Sequence, residues 1–336
     1  MALPAIENVG DAFSVTRNFL FPFELRRWLK LAVVVLFLGG GVSAPTAQFD
    51  APRTADPSVG TELPTVPFET MTVVVALVGG LVLLGGLFAL IGAILEFVFV
   101  ESLRTGEVSI RRHWSRRWRQ GLRLFGFRIA IGLLALAVFA GWILLLFAPA
   151  LSATVDPIAP FVTLLFVGLP IVFLVGVLYA LVASFTTAFV VPIMIQTDGG
   201  VLSAWGVLWS SITAHPKQYL AYVVIGFLLT VAAGIAGSLV VGIVALMGLL
   251  PLALLGAIMY FTATLSSTAG LAALAGVGLL IAAVVFVFWA VIQVPIVAYL
   301  RYYALLVLGD IDESLDLIPE QRATVRTEEL RGSDAF

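Results

Sequence analysis

Glu96 is the carboxylate with the strongest claim to chemistry, because it stands inside an apolar stretch, between Gly92-Ala93-Ile94-Leu95 and Phe97-Val98-Phe99-Val100. An ionisable side chain in hydrocarbon is costly, and that makes it a default candidate for a proton or cation site. The competing reading is a structural ion pair with Arg104, Arg128 or Arg301, one to two turns below the inner surface. In that case Glu96→Gln is expected to cost about 1 kcal/mol or less, the value for pairs near water. Gln293 precedes Arg301 by eight residues as Glu96 precedes Arg104, and Gln196 lies near a related position. Glu96, Gln293 and Gln196 therefore form the candidate intramembrane polar site.

Other chemistry is sparse. His113 and His215 are the only histidines, neither has a second His or a carboxylate at metal-ligand spacing, and cysteine is absent. There is no P-loop, no G-x-S-x-G, no G-x-G-x-x-G and no filter-like TVGYG run. No catalytic residue, metal or cofactor is expected, and the chain reads as a non-enzymatic protein.

A second constellation combines Arg111, Arg112, Trp114, Arg116, Arg117 and Trp118. Trp114 and Trp118, four apart, share one helical face, with basic residues around them, the pattern of a helix lying on a membrane surface. Each cation is worth on the order of 1 kcal/mol at an anionic leaflet. An Arg-rich helix with aromatics also suits nucleic acid. Tethering between two apolar spans favours lipid, so the expected partner is the anionic inner leaflet and not a nucleic acid.

The elements that position these residues are membrane helices. Between Lys217 and Arg301, 83 consecutive residues contain no Asp, Glu, Lys or Arg. A soluble helix needs a polar face, so such a run belongs in lipid. The 336 residues are 61% hydrophobic and 11% charged, with a mean hydropathy of +1.11. At about 20 residues per crossing, spans are predicted near 28–44, 71–100, 125–149, 159–196, 218–249 and 268–308. The uncharged run has room for four helices in place of two. Two are preferred because Pro251 and the polar Thr262, Thr264, Ser266, Ser267 and Thr268 mark one outer break.

Of 18 Lys and Arg, 17 fall at the N-terminal segment, in 104–128, at Lys217 or from Arg301 onward, while Arg53 alone lies in an alternate loop. The positive-inside rule then gives a multi-pass cell-membrane protein with both termini cytoplasmic. Arg26-Arg27 followed by an apolar stretch and Val42-Ser43-Ala44 also resembles a twin-arginine signal. The long n-region with Glu7, Asp11 and Glu24 favours a first span with snorkelling cations instead.

The predicted fold is all-α, six transmembrane helices in three repeats of amphipathic helix plus helical hairpin. The repeats cover about 1–103, 104–197 and 198–308, forming one transmembrane domain over 1–308. The amphipathic faces are Ile6/Val9/Phe13/Leu20, Ile110/Trp114/Trp118/Leu122 and Leu202/Trp205/Trp209/Ile212. Val191-Pro192-Ile193 recurs as Val294-Pro295-Ile296. Ala233 with Gly237, and Ala272 with Gly276, are pairs that allow close helix approach. Pro170, Pro192, Pro251 and Pro295 are expected to kink or end helices. Residues 309–336 form an acidic cytoplasmic tail, expected to be mobile beyond about Leu317 and placed to dock a cytoplasmic protein.

Gly10-Asp11-Ala12-Phe13 through Phe21-Pro22-Phe23, then Arg27-Trp28-Leu29-Lys30-Leu31-Ala32 and Gly39-Gly40-Gly41, resembles a family of uncharacterised haloarchaeal polytopic membrane proteins. Val191-Pro192-Ile193-Met194, Ala204-Trp205, Pro216 with Tyr219-Leu220, and Tyr299-Leu300-Arg301-Tyr302-Tyr303 are similar to the same family. Over mainly 159–310 they more remotely resemble the membrane domain of glycerophosphodiester phosphodiesterases. The catalytic barrel of those enzymes has no counterpart here, so the resemblance implies a membrane fold and not the activity. The expected role is a lipid-contacting scaffold or accessory protein. The alternative is a transporter or permease for a small molecule or lipid, with a polar site between spans two, four and six.

Overall fold

The computed structural model describes residues 4–38, 68–147, 158–262 and 267–333. Among them every regular element is helical: α1 (Pro4–Leu20), α2 (Leu25–Leu38), α3 (Phe68–Thr105), α4 (Ile110–Phe147) and α5 (Ile158–Phe185) come first. A π-helical turn (Thr186–Val190) leads into α6 (Val191–Thr197), followed by α7 (Val201–Ala214), α8 (Pro216–Phe261), α9 (Thr268–Ile311) and α10 (Pro319–Ser333). The predicted outer loop with Arg53, the Val42-Ser43-Ala44 site and the loop at Asp156 lie outside the described residues.

Five of the described helices are long and apolar enough to cross a bilayer: α3, α4, the α5 to α6 run, α8 and α9. α2 is described over 14 residues, and the rest of the expected first span lies outside the described residues. The uncharged run forms two long helices, not four. Pro251 does not mark the break, because α8 continues through it to Phe261. In lipid the freed carbonyl costs less than a break would, since a break exposes several unpaired backbone groups to hydrocarbon. Pro170 and Pro295 likewise sit inside α5 and α9. α9 begins at a true cap, where the Ser267 hydroxyl accepts from the Gly270 N–H at 3.0 Å.

Burial divides the molecule into two zones. Residues 93–103 of α3, one face of α4 (His113, Arg117, Gln120, Gly121 and Leu124), 186–195, the inner faces of α1 and α7, and 302–308 of α9 supply a packed basal core. Above it the helix faces are exposed, as at Leu81, Val82, Leu83 and Leu84, Leu133 and Leu134, and Phe227 and Leu228. Lipid tails are as apolar as leucine, so helices in hydrocarbon gain little by burying these side chains against each other. The basal zone holds the amphipathic segments and is where burial removes apolar surface from water.

The amphipathic segments do not all behave as separate surface helices. α1 and α7 are distinct, while the segment from Ile110 runs without interruption into the third span as α4. α1 is pinned under α9 by the tyrosines of the 299–303 run. Tyr303 donates to the Ala5 carbonyl at 3.0 Å and Tyr299 to the Val9 carbonyl at 3.3 Å, while Tyr302 donates to the Leu103 carbonyl of α3 at 3.0 Å. Beside them Tyr222 stacks on Tyr303 with ring centroids 5.6 Å apart, and Phe189 meets Tyr222 at a tilt, 4.6 Å between centroids. Tyr302 and Tyr303 each bury a large apolar body while the hydroxyl keeps a backbone partner.

The acidic tail is not free over the described residues. After a 3-10 turn (Glu313–Leu315), Leu315, Leu317, Ile318 and Val325 bury into the basal core, and α10 packs against α1. Composition suggested a solvated tail, but four apolar side chains and two arginines suffice to dock it. Arg326 contacts Asp11 at 3.2 Å and Asp310 at 2.8 Å, and Arg322 contacts Asp310 at 3.3 Å and Asp316 at 3.1 Å. The bonds to Asp310 and Asp11 hold the Arg326 guanidinium above the usual arginine range against the opposing effect of burial. Arg326→Ala should release α10 and speed proteolytic cleavage around Asp312 to Pro319, leaving the long helices intact; unchanged cleavage would show that the clamp is dispensable.

Close approach of α3 and α4 depends on Gly121. A Cβ there would lie 2.7 Å from the Ile94 Cα and 2.6 Å from its Cγ1, so the backbones must part. Gly121→Ala should lower stability by about 1–3 kcal/mol, the usual overpacking cost. Gly126→Ala, on the same helix with open space around it, should be neutral or slightly stabilising. Unfolding midpoints of the two variants in detergent check the contrast.

Candidate functional site

Glu96 lies between α3, α4, the π-turn and α9, its side chain 3% exposed. One oxygen accepts from Arg128 at 3.0 Å, and the other is paired with Arg301. Arg128 also donates to the Thr187 hydroxyl at 2.8 Å, and Arg301 to the Thr187 carbonyl at 2.5 Å. Arg104 turns away and approaches Glu101 at 3.9 Å instead.

Local sequence explains why the Thr187 carbonyl is available. Proline at 192 has no N–H to give the Thr187 carbonyl five residues back, and its ring crowds the turn before it. The preceding turn widens to a π-helix, with the Val191 N–H reaching the Thr186 carbonyl. Such bulges leave carbonyls without a regular helical partner. Arg301 fills that vacancy, so Pro192 and Arg301, distant in sequence, complete one arrangement.

The depth of the cluster follows from α4. From Ile129 to Phe147 the helix has no charged residue. These 19 residues rise about 30 Å at 1.5 Å each, the thickness of a hydrocarbon core. Arg128, 31% exposed, therefore sits at the edge of the apolar layer, and Glu96 is sheltered behind it.

Gln293 and Gln196 are not drawn into this cluster. Gln196 is exposed and donates to the Ser314 carbonyl at 3.1 Å, anchoring the tail. Gln293 lines a separate groove of about 830 Å³ between α8 and α9. Small residues make the groove: Ala233, Gly234, Ser238 and Gly242 on α8 face Gly278 and Ala282 on α9. Gly237, predicted to permit close approach, has Ile296 Cδ1 3.0 Å from where its Cβ would stand. Ala272 and Gly276 do not line the groove.

The Arg and Trp constellation also divides. Arg111, Arg112 and Arg116 are exposed, Trp118 is 45% exposed, and Trp114 is half-buried against the core. Arg117 departs from the expected surface role. It is 4% exposed, contacts Asp198 at 2.6 Å and Glu101 at 3.7 Å, and donates to Gln120 at 3.1 Å. Gln120 in turn donates to the Met194 carbonyl at 3.0 Å. The network ties α4 to α3 and to the end of α6, where Asp198 adopts a left-handed φ of 50°. Helical spacing offered a signal for this, since Arg117 shares a face with His113, Gln120 and Leu124, which are also buried.

Sequence reasoning missed Thr187, Glu101 and Asp198 as partners, and Asp11, Asp310 and Arg326 as a clamp. His113 is buried with no partner for its Nε2, and His215 stands exposed at the start of α8 without a side-chain capping bond. Among the described residues no group of His, Asp and Glu could hold a metal ion. As a whole the centre can hold charges in place at the edge of hydrocarbon.

No curated protein and no solved structure matches the chain. A family model described as a family of unknown function matches residues 3–318. That range takes in α1 to α9 and the turn after it, including the Glu96 and Arg117 networks. The chain is a polytopic membrane protein that belongs to the family DUF7544.

Proposed function

We propose that the protein is a non-enzymatic, lipid-contacting scaffold or accessory protein, six-spanning, with its basic end and both termini at the cytoplasmic face. The observation that carries this reading is the closure of Glu96. It lies between helices of spans two, four and six, where a transport site was the alternative, yet both oxygens are engaged by guanidiniums. A carboxylate held so cannot exchange a proton without breaking an ion pair in a low-dielectric setting. The exposed Arg111, Arg112 and Arg116 beside Trp118 give the lipid-facing part of the role.

The α8–α9 groove favours the transporter as a second reading, since it is large and holds Gln293. Its walls are otherwise almost wholly apolar, which suits hydrocarbon better than a polar solute. Native mass spectrometry of the purified protein tests the first reading. Anionic lipids should be retained over zwitterionic ones, and the triple change of Arg111, Arg112 and Arg116 to Gln should remove that preference. Equal retention in both proteins would contradict it.

A further inference from the structure

Gln293 is left out of the Glu96 cluster, and its depth calls for a partner. It precedes Arg301 by eight residues on α9, about 12 Å at 1.5 Å per residue, which carries it from the edge of the apolar layer well into hydrocarbon. Among the described residues nothing hydrogen-bonds to its amide, and the same holds for the indole N–H of Trp289, one turn away on the same face. Both residues are half-buried and line the α8–α9 groove. The enclosed unpartnered atoms of the chain include those of Gln218 and Gln321 but none of Gln293 or Trp289, so these two polar ends are open to the groove. An amide without a partner in hydrocarbon is expensive.

Dimensions and charge select the occupant. The walls run from Ala233 to Leu252 on α8 and from Gly278 to Gln293 on α9, about 22–28 Å of helix. Spread over that length, the volume of about 830 Å³ leaves a furrow roughly 6 Å across, room for one hydrocarbon chain and about half the 10–12 Å diameter of a helix. Behind it the two helices are closed on each other, since a Cβ on Gly248 would stand 2.6 Å from the Ile281 Cγ2. On the other side Gly234, Ser238, Gly242 and Ala282 are exposed, and a Cβ on Gly234 or Gly242 would meet nothing within 4 Å. An occupant therefore enters from the bilayer. The Ser238 hydroxyl already donates to the Ile235 carbonyl at 2.9 Å, which leaves Gln293 and Trp289 as the polar contacts. No Asp, Glu, Lys or Arg lies between Lys217 and Arg301, so nothing in the groove could neutralise an ionic headgroup, and a charge at that depth is costly.

We propose that the α8–α9 groove binds a neutral long-chain lipid, its one oxygen function bonded to the Trp289 indole and the Gln293 amide and its chain lying along Gly234, Ser238 and Gly242. Side chains four apart on a helix are neighbours, so one oxygen reaches both. A ketone oxygen accepts from both N–H groups, while a hydroxyl accepts from one and donates to the Gln293 Oε1. The inference rests on the membrane placement of α8 and α9 and not on the scaffold reading, and it requires holding of the lipid without passage.

The test uses the full chain in a nonionic detergent and a long-chain methyl ketone carrying a photoreactive diazirine in its chain. Irradiation should label α8 between Ala233 and Leu252 and α9 between Gly278 and Gln293. Unlabelled competitors of equal chain length should displace the probe in a fixed order, with the ketone and the alcohol ahead of the alkane and a phosphocholine weakest. Whichever of ketone and alcohol competes better assigns the oxygen function. Gln293→Leu should raise the ketone concentration for half-displacement roughly three- to tenfold, the scale of a lost hydrogen bond, and leave the alkane unaffected. Ser238→Leu, which fills an exposed part of the furrow, should abolish labelling. The ranking of competitors is read on the unmodified protein, so a variant that fails to fold does not end the test. Labelling spread evenly over all lipid-facing helices, equal displacement by alkane and ketone, or a second copy of the chain cross-linked across the groove in place of the probe would overturn the proposal.

Discussion

Glu96→Gln is expected to lower stability by about 2–4 kcal/mol, several times the cost suggested by the sequence. The sequence placed the carboxylate near water, where losing a pair costs about 1 kcal/mol or less. In the structure Glu96 is 3% exposed and shared between two guanidiniums. Removing one partner of a buried pair costs about 3–5 kcal/mol, because the remaining charge is left without compensation. Arg128 is 31% exposed and can turn toward headgroups, which brings the expectation below the full figure. Arg301, 13% exposed, has less room to escape. Reversible unfolding in mixed micelles measures the loss, and Arg301→Gln on the Glu96→Gln background should recover part of it. Two independent, additive losses would show that the residues do not act as a pair.

Arg117→Gln should be the second large effect, on the order of 2–4 kcal/mol, since it strands Glu101 at 6% side-chain exposure and breaks the tie from α4 to the end of α6. Arg104, 3.9 Å from Glu101 and about half exposed, provides only a distant substitute. Arg111, Arg112 and Arg116 belong to the same sequence cluster but face outward. Changing those three to Gln should leave the unfolding midpoint almost unchanged and act on lipid retention alone. A surface role shared by all four arginines would instead give Arg117→Gln a normal midpoint.

Charge distribution and apolar length made the membrane helices legible, because both are set by the bilayer and can be read one segment at a time. The last four predicted spans start within two residues of described helices, except where α4 absorbs its amphipathic lead. The sequence offers Arg104, Arg128 and Arg301 as partners for Glu96; the structure pairs it with Arg128 and Arg301, on other helices, while Arg104 on its own helix approaches Glu101. What was not legible was which arginine faces inward. Six arginines from 111 to 123 look alike in composition, and only contacts with Glu101 and Asp198, on other helices, single out Arg117. Docking of the tail was hidden for a similar reason: its clamp joins Arg326 to Asp11, at opposite ends of the chain.

Proton flux in proteoliposomes tests the central claim most directly, since a structural Glu96 and a transporting Glu96 differ in whether protons pass. With an imposed pH gradient and a trapped pH-sensitive dye, the unmodified protein and folded Glu96→Gln should both leak no faster than protein-free vesicles. Flux above that background in the unmodified protein, lost in Glu96→Gln while the protein remains inserted, would contradict the scaffold account and make Glu96 a transport site.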